Sequence, residues 1–231
     1  MATAMTPELV IFDCDGVLVD SEALSVAALL GMIALAGGTV GEDAAYEHFL
    51  GKSMKSVREI LGRDFGLDIT DGHLTAMRVE LMRKFREELK PIPGIGEVLP
   101  RLGVPYCVAS SGTLDRIRYA LDVTGLLGLM EPHLFSAAMV AHGKPAPDLF
   151  LHAAMKMGAT PRNCLVIEDS PAGIVAARAA GMRVFAFTGG SHAGNPALKA
   201  RLASSEPDFI FADMLQLPDL IAGLGARVKA S

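Results

Sequence analysis

Four short polar clusters in the chain carry the residue types from which an active centre is built. Asp13-Cys14-Asp15-Gly16 follows the apolar run Leu9–Phe12. Two carboxylates two residues apart can face one crevice if the chain turns there, and Gly16 permits the turn. Ser110-Ser111-Gly112 follows Tyr106–Ala109, and hydroxyls with free backbone N–H groups at a helix start cradle phosphate well. Gly143-Lys144-Pro145-Ala146-Pro147-Asp148 puts one lysine in a proline-stiffened loop, with Asp148 able to cap the next helix. Glu168-Asp169-Ser170-Pro171 follows Cys164–Ile167, with Ser170 suited to an N-cap and Pro171 to the first helical position. Taken singly, an Asp-rich turn, capping serines, a solvated lysine and a helix start explain each of them. Their recurrence at four strand ends argues against coincidence.

If the strand ends converge, so do the acids. Carboxylates ~4 Å apart repel by about 4 kcal/mol at an effective dielectric near 20. Bringing Asp13, Asp15 and Asp169 together therefore calls for a cation. Oxygen donors without His or Cys select Mg²⁺ over zinc, and the six histidines show no HxxxH spacing.

The elements that must position these clusters fall into two regimes. From about Ser21 to Lys90 every segment has helical character. Val57, Ile60, Leu61 and Phe65 recur at helical spacing, as do Leu74, Met77, Leu81, Met82, Phe85 and Leu89, with Thr70 or Asp71 as the cap of the second series. After Pro91-Ile-Pro93-Gly94 the rhythm changes. Strands are predicted at Tyr106–Ala109, Cys164–Ile167, Arg183–Phe187 and Phe209–Phe211, with a weaker one at Leu134–Ser136. Helices are predicted at Ile95–Leu102, Thr113–Asp122, Asp148–Met157, Ala172–Ala180 and Leu215–Leu224. Such alternation implies a parallel sheet covered on both faces. The expectation is an α/β core of residues 1–19 and 91–231, interrupted after its first strand by an all-helical cap, residues 20–90. That cap would hang over the carboxyl edge of the sheet, where open α/β sheets bind ligands.

Composition narrows the function classes. The 231 residues are 51% hydrophobic and 20% charged, and mean hydropathy is +0.36, which excludes a disordered chain. The net charge of −5, with scattered Lys and Arg, gives no nucleic-acid footprint. An acidic chain that takes an anionic substrate needs local positive charge at its site. Cys14, Cys107 and Cys164 are odd in number and form no CxxC, which suits buried, reduced side chains in a cytoplasmic protein without disulfides or zinc. No secretory signal is visible. Ala23–Gly41 contains no charged residue, but it is rich in Ala and Gly, is flanked by acids and lacks basic anchors, so it reads as a helix buried on most sides rather than a membrane span.

With these residues in hand, the chain resembles the haloacid dehalogenase superfamily of phosphatases, in its beta-phosphoglucomutase-like branch. Phe12-Asp13-Cys14-Asp15-Gly16-Val17-Leu18-Val19-Asp20-Ser21-Glu22 matches the opening motif. Ser110, Gly143-Lys144-Pro145, and Ile167-Glu168-Asp169-Ser170 followed by Ala172-Gly173 match the other three in order. The resemblance spans essentially the whole chain and implies a Rossmann-like parallel core with a helical cap after the first strand. It also implies that Asp13 attacks phosphorus and carries an aspartyl-phosphate, and that Asp15 serves as general acid and base. By the same resemblance Mg²⁺ is held by Asp13, Asp169 and the backbone carbonyl of Asp15, with Glu168 on a metal-bound water, while Ser110, Ser111 and Lys144 grip the phosphoryl oxygens. The presence of Asp15 argues against the dehalogenase members, which lack the second aspartate.

Departures bear on the substrate. Beta-phosphoglucomutases have a histidine where this chain has Ser25, and a cap arginine for the second phosphate where it has Met54. Gly51 and Lys52, or Lys55, remain as cap contacts, and no distal phosphate clamp is expected. The pattern also resembles sugar-acid phosphatases acting on 6-phosphogluconate. The expected function is thus hydrolysis of a small phosphorylated metabolite, with no nucleic-acid or membrane partner, by a monomer or weak homo-oligomer. A hexose-phosphate mutase and a phospho-acceptor signalling module are the alternatives, the latter weakened by the helical insert. Specificity is expected around Gly51–Lys55 and in the Gly189–Asn195 loop.

Overall fold

The computed structural model describes residues 6–194 and 196–226. Six strands are β1 (Leu9–Phe12), β2 (Tyr106–Ser110), β3 (Leu134–Ser136), β4 (Cys164–Glu168), β5 (Arg183–Phe187) and β6 (Phe209–Phe211). They form one all-parallel sheet in the order β3-β2-β1-β4-β5-β6. Every residue of β1 and β4 is buried. Successive side chains point to opposite faces, so both faces of the sheet centre are covered, which explains why these strands read as unbroken apolar runs. The order reverses between β1 and β4, the switch point at which doubly wound sheets open a crevice.

Four helices follow β1 before the chain returns to the sheet: α1 (Glu22–Leu35), α2 (Glu42–Phe49), α3 (Met54–Phe65) and α4 (Asp71–Glu88). The chain leaves the sheet and returns to it side by side. Asp20 N donates to Lys90 O at 2.9 Å, Ile92 N donates to Leu18 O at 2.9 Å, and Val19 bridges Pro91. Helix α4 starts with a reciprocal cap in which Thr70 Oγ1 accepts from His73 N and His73 Nδ1 accepts from Thr70 N, each at 3.3 Å. Helix α5 (Ile95–Val98) then precedes β2, and beyond β2 come α6 (Leu114–Val123), α7 (Leu127–Met130), α8 (Asp148–Lys156), α9 (Pro171–Ala179), α10 (Pro196–Ser204) and α11 (Leu217–Ala226). Helix α8 packs on β1, β2 and β3, and α9 on β4 and β5.

Several expectations change. Helix α1 is not buried on most sides. Val26, Ala28, Leu29, Met32 and Ile33 face inward, while Ala23, Ala27, Gly31, Ala34 and Leu35 are exposed. Its outer face lacks charge because alanine and glycine present so little apolar area that solvent tolerates them. No described helix is long and apolar enough to cross a membrane. The Ile95–Leu102 helix stops at Val98 and finishes as a 3₁₀ turn over Leu99–Arg101, and Leu215–Leu224 splits into a 3₁₀ turn and α11. Helices α7 and α10 were not expected. The sheet thins at its β6 edge, where Phe209 and Ile210 are each 43% exposed.

Ile11, wholly buried in the central strand, measures the core. Ile11→Ala should lower the unfolding free energy by about 2–5 kcal/mol, read from urea titration. A loss below about 0.5 kcal/mol, ordinary for a surface site, would contradict this packing.

Candidate active site

The sheet brings the four clusters to one edge. Asp13 leaves β1 with its amide donating to Ile167 O at 3.0 Å, which locks it beside the end of β4. The chain then turns tightly: Leu18 N and Val19 N donate to Cys14 O at 2.9 and 3.1 Å, and Gly16 N to Val19 O at 2.8 Å. Gly16 has φ of +76°, and a Cβ there would stand 1.8 Å from Asp169 Oδ2. Only glycine allows the two acidic segments to approach so closely.

Lys144 is the hub. Its ammonium, buried in a 2% exposed residue, donates to Asp13 Oδ1 at 2.5 Å and Glu168 Oε1 at 2.6 Å, and lies 4.9 Å from the Phe150 ring centre. Burial alone would lower its pKa, but attraction to Asp13 and Glu168 outweighs that and holds it above the ordinary lysine value. Glu168 is fully engaged: besides Lys144, its Oε2 accepts from Asp169 N, Ser170 N and Ser170 Oγ at 2.9 Å each. Glu168 thus anchors Lys144 through one oxygen and the start of α9 through the other.

Asp15 Oδ1 accepts from Ser21 Oγ at 2.6 Å and Arg116 Nη2 at 2.7 Å, and its Oδ2 lies 3.5 Å from Ser110 Oγ. Ser110, completely buried at the end of β2, also accepts from Gly112 N at 3.0 Å. Ser111 lines the same pocket. Its hydroxyl donates to Gly51 O at 3.0 Å and thereby ties the loop after α2 to the core. Gly51 has φ of +72°, and a Cβ on it would meet Ser170 Oγ at 2.3 Å, so this loop rests directly on the start of α9. Lys52 and Met54 follow it along the pocket wall.

Burial dominates the electrostatics. It raises the carboxyl pKa of Asp13, Asp169 and Glu22 well above the usual range; Lys144 opposes the rise at Asp13 and Asp169, and neighbouring carboxylates reinforce it at all three. Asp169 Oδ2 is buried without a hydrogen-bond partner. His192 Nε2 is 3.0 Å away but not aligned to donate, and burial lowers the pKa of that imidazole. Among the described residues, no three His, Cys, Asp or Glu side chains make a ready metal cage. The oxygen donors gathered here are carboxylates, those of Asp13 and Asp169 among them. An orphaned buried carboxylate oxygen amid hard oxygen donors fits a small divalent ion.

A pocket opens from this edge toward the helices. It encloses about 650 Å³, part of it open to solvent, and is lined by Asp13, Asp15, Ser110 and Arg116 on one side and by Ser25, Leu29, Lys52, Met54, Val57 and Leu81 among others on the opposite side. Two site residues escape the sequence reading. Arg116 sits one residue before buried Ile117 and four before buried Ala120 on α6, so a cation flanking an apolar stripe was the available signal. His192 lies in the Gly189–Asn195 loop, which turns inward against Asp169 and, through Ser191, hydrogen-bonds Asp20. Asn195 lies outside the described residues.

A parallel sheet with acids, a buried lysine and a serine at its switch point, beneath inserted helices, defines an enzyme of the hydrolase class. Residues 7–181 match the haloacid dehalogenase-like hydrolase family, and the chain belongs to it. It is 30% identical over 224 residues to 6-phosphogluconate phosphatase of Escherichia coli, covering 96% of this chain and 98% of that one. It is 32% identical over 181 residues to hexitol phosphatase A of the same organism, covering 76% and 81%. Among solved structures, a haloacid dehalogenase-like protein from Agrobacterium tumefaciens superposes with a TM-score of 0.79 at 35% identity, covering 94% of this chain and 98% of its own. A family hydrolase from Deinococcus radiodurans, with bound phosphate and sodium, superposes with a TM-score of 0.72 at 27% identity, covering 95% and 97%.

The crowding of acids makes a testable cost. A raised folded-state pKa at Asp169 stabilises the fold below the ordinary carboxylate range, and that contribution is lost as pH rises through the raised value. Asp169→Asn removes the loss. In EDTA the variant should melt above the wild type at about pH 8, by about 2–4 °C per kcal/mol recovered, with the gap closing toward about pH 4. A variant that melts lower at the alkaline end would show that Asp169 is not under this strain.

Proposed function

We propose that the chain is a magnesium-dependent phosphoric monoester hydrolase, acting on a small phosphorylated sugar or sugar acid through a phosphoryl group carried transiently on Asp13. The observation that carries this reading is the buried Lys144 bridging Asp13 and Glu168 at 2.5 and 2.6 Å. That contact sets an oxygen nucleophile beside a fixed positive charge where phosphoryl oxygens would lie. The names of the two Escherichia coli relatives support the substrate class.

In this mechanism the phosphate sits among Asp13, Ser110 and Lys144. An Asp13 carboxylate oxygen attacks phosphorus, the bond from phosphorus to the leaving oxygen breaks, and Asp15 gives that oxygen its proton, a transfer worth roughly 10²–10⁴-fold. Asp15 then takes a proton from water as the water oxygen attacks phosphorus. The bond to Asp13 breaks, inorganic phosphate is released, Asp13 returns as the carboxylate and Asp15 as the protonated acid. Ser110 and Lys144 donate to the phosphoryl oxygens throughout, and Ser21 and Arg116 keep Asp15 aimed. Asp13, Asp169 and the Asp15 carbonyl would hold Mg²⁺, which when bound supplies positive charge against the phosphoryl oxygens and relieves the repulsion among the acids.

Residues 20–90 act as a cap that shuts the pocket, with Gly51 and Lys52 at its rim. The absence of an arginine at Met54 and of a histidine at Ser25 favours hydrolysis over a mutase cycle. We assign the enzyme to the cytoplasm, where its three buried free cysteines stay reduced, as a monomer or weak homo-oligomer.

Asp13→Asn should lower phosphate release by about 10³-fold or more while leaving thermal unfolding cooperative; retained turnover refutes the assigned nucleophile. EDTA should silence the wild type and Mg²⁺ should restore it, in a malachite-green assay across sugar phosphates. Activity that persists in excess chelator rules out the metal.

A further inference from the structure

We propose that Arg116 forms a subsite for a carboxylate on the leaving group, so that the substrate is a phosphorylated hydroxy acid rather than a neutral polyol or sugar phosphate. This rests on the phosphatase reading above and deepens it. Arg116 belongs to α6 of the core but reaches across to the helices: its Nη2 donates to Asp15 Oδ1 at 2.7 Å and to Ser25 Oγ at 3.1 Å, and its guanidinium carbon lies 5.6 Å from the Phe85 ring centre.

The two oxygens of Asp15 separate the pocket into two sides. Oδ2 looks to Ser110, on the phosphoryl side, whereas Oδ1 is taken by Ser21 and Arg116. A general acid stands between the phosphoryl group and the leaving oxygen, so a guanidinium on its far oxygen borders the leaving group. The donors of Arg116 are not exhausted. A guanidinium has five N–H groups; two of those on Nη2 serve Asp15 and Ser25, and Nε is buried with no acceptor. A buried donor left without an acceptor is costly, and Nη1, which makes no hydrogen bond among the described residues, is the donor an incoming carboxylate would take.

Charge points the same way. Lys144 is already shared by Asp13 and Glu168. The other cations lining the pocket are Arg116 and Lys52, and Lys52 is held below the ordinary lysine value by burial and by the nearby charges of Arg201 and Arg63. The rest of the cap side is mainly apolar, with Val26, Leu29, Val57, Met77 and Leu81, its polar members being Ser25, already bonded to Arg116, and the buried Glu22. A chain of neutral hydroxyls finds little to pair with there, while a carboxylate matches the planar fork of arginine.

The test compares a six-carbon aldonate 6-phosphate with the matching hexitol 6-phosphate, and a four-carbon acid–polyol pair likewise, in wild type, Arg116→Met and Arg116→Lys with Mg²⁺. The wild type should favour the acids in kcat/KM by at least about tenfold. Arg116→Met should lower kcat for acid and polyol alike, since Asp15 loses a partner, and should erase the preference through a rise in KM confined to the acids, which Arg116→Lys should partly reverse. Calorimetry in an Asp13→Asn background reads binding without turnover, and there the acid should lose affinity with Arg116→Met while the polyol phosphate changes far less. Equal losses of affinity for acid and polyol overturn the proposal and leave Arg116 as a support for Asp15 alone. A wild type that prefers the polyol, or a hexose bisphosphate, overturns it as well. Failure of the wild type to release phosphate from any of these compounds or from p-nitrophenyl phosphate would undo the phosphatase reading, and this proposal with it.

Discussion

An ammonium group sealed between two carboxylates organises this molecule. Lys144 reaches Asp13 at the end of β1 and Glu168 at the end of β4, and Glu168 is gripped in turn by two amides and a hydroxyl at the start of α9. Desolvating a lysine is tolerable only when such geometry repays it, and here both partners are themselves buried. The same contact that neutralises the lysine therefore stitches the two strands flanking the switch point. It does not neutralise the whole cluster. Lys144 pairs with Asp13 and Glu168 and Arg116 with Asp15, while the buried Asp169 and Glu22 add to the acid excess, an excess that a divalent ion would offset.

Around that cluster the fold divides its labour. The sheet edge supplies short, rigid side chains (Asp13, Ser110, Asp169) on strand ends whose positions are fixed by the hydrogen-bond ladder. The helices between β1 and β2 supply the other wall, and they are seated by close contacts rather than by long side chains: Ser111 holds the Gly51 carbonyl, and Gly51 itself lies against Ser170. Arg116 breaks this pattern, since it starts on the core, touches both walls and bonds the acid that stands between them.

The strand framework was legible because wholly buried strands leave a plain trace, an apolar run closed by a polar cluster. Leu9–Phe12 and Arg183–Phe187 match the boundaries found, and Phe209–Phe211 does so as a short apolar edge strand with two of its three residues exposed. The acids, Ser110 and Lys144 were legible for the same reason, since each directly follows a strand or sits in a stiff loop. Hydropathy misjudged α1, because alanine scores as apolar whether or not anything covers it. Helix α7 is a single turn with too little periodicity to detect. Arg116 left only a faint trace, a cation beside an apolar stripe, and His192 none, as what gives each meaning is a distant partner; Arg116 and Asp15 stand 101 positions apart. Local pattern reports which face of an element is apolar, not what a polar side chain meets across a crevice.

Cys14, between the two aspartates of the opening turn, bears on how the enzyme withstands chemical insult. It is 1% exposed, and burial together with Asp15 and Asp13 drives its thiol pKa well above the ordinary value. Peroxides and alkylating reagents react with the thiolate, a form this surrounding suppresses. A sulfur atom adjoining the reaction centre is thus shielded from oxidation, and conditions that inactivate thiol-dependent hydrolases should leave this one working.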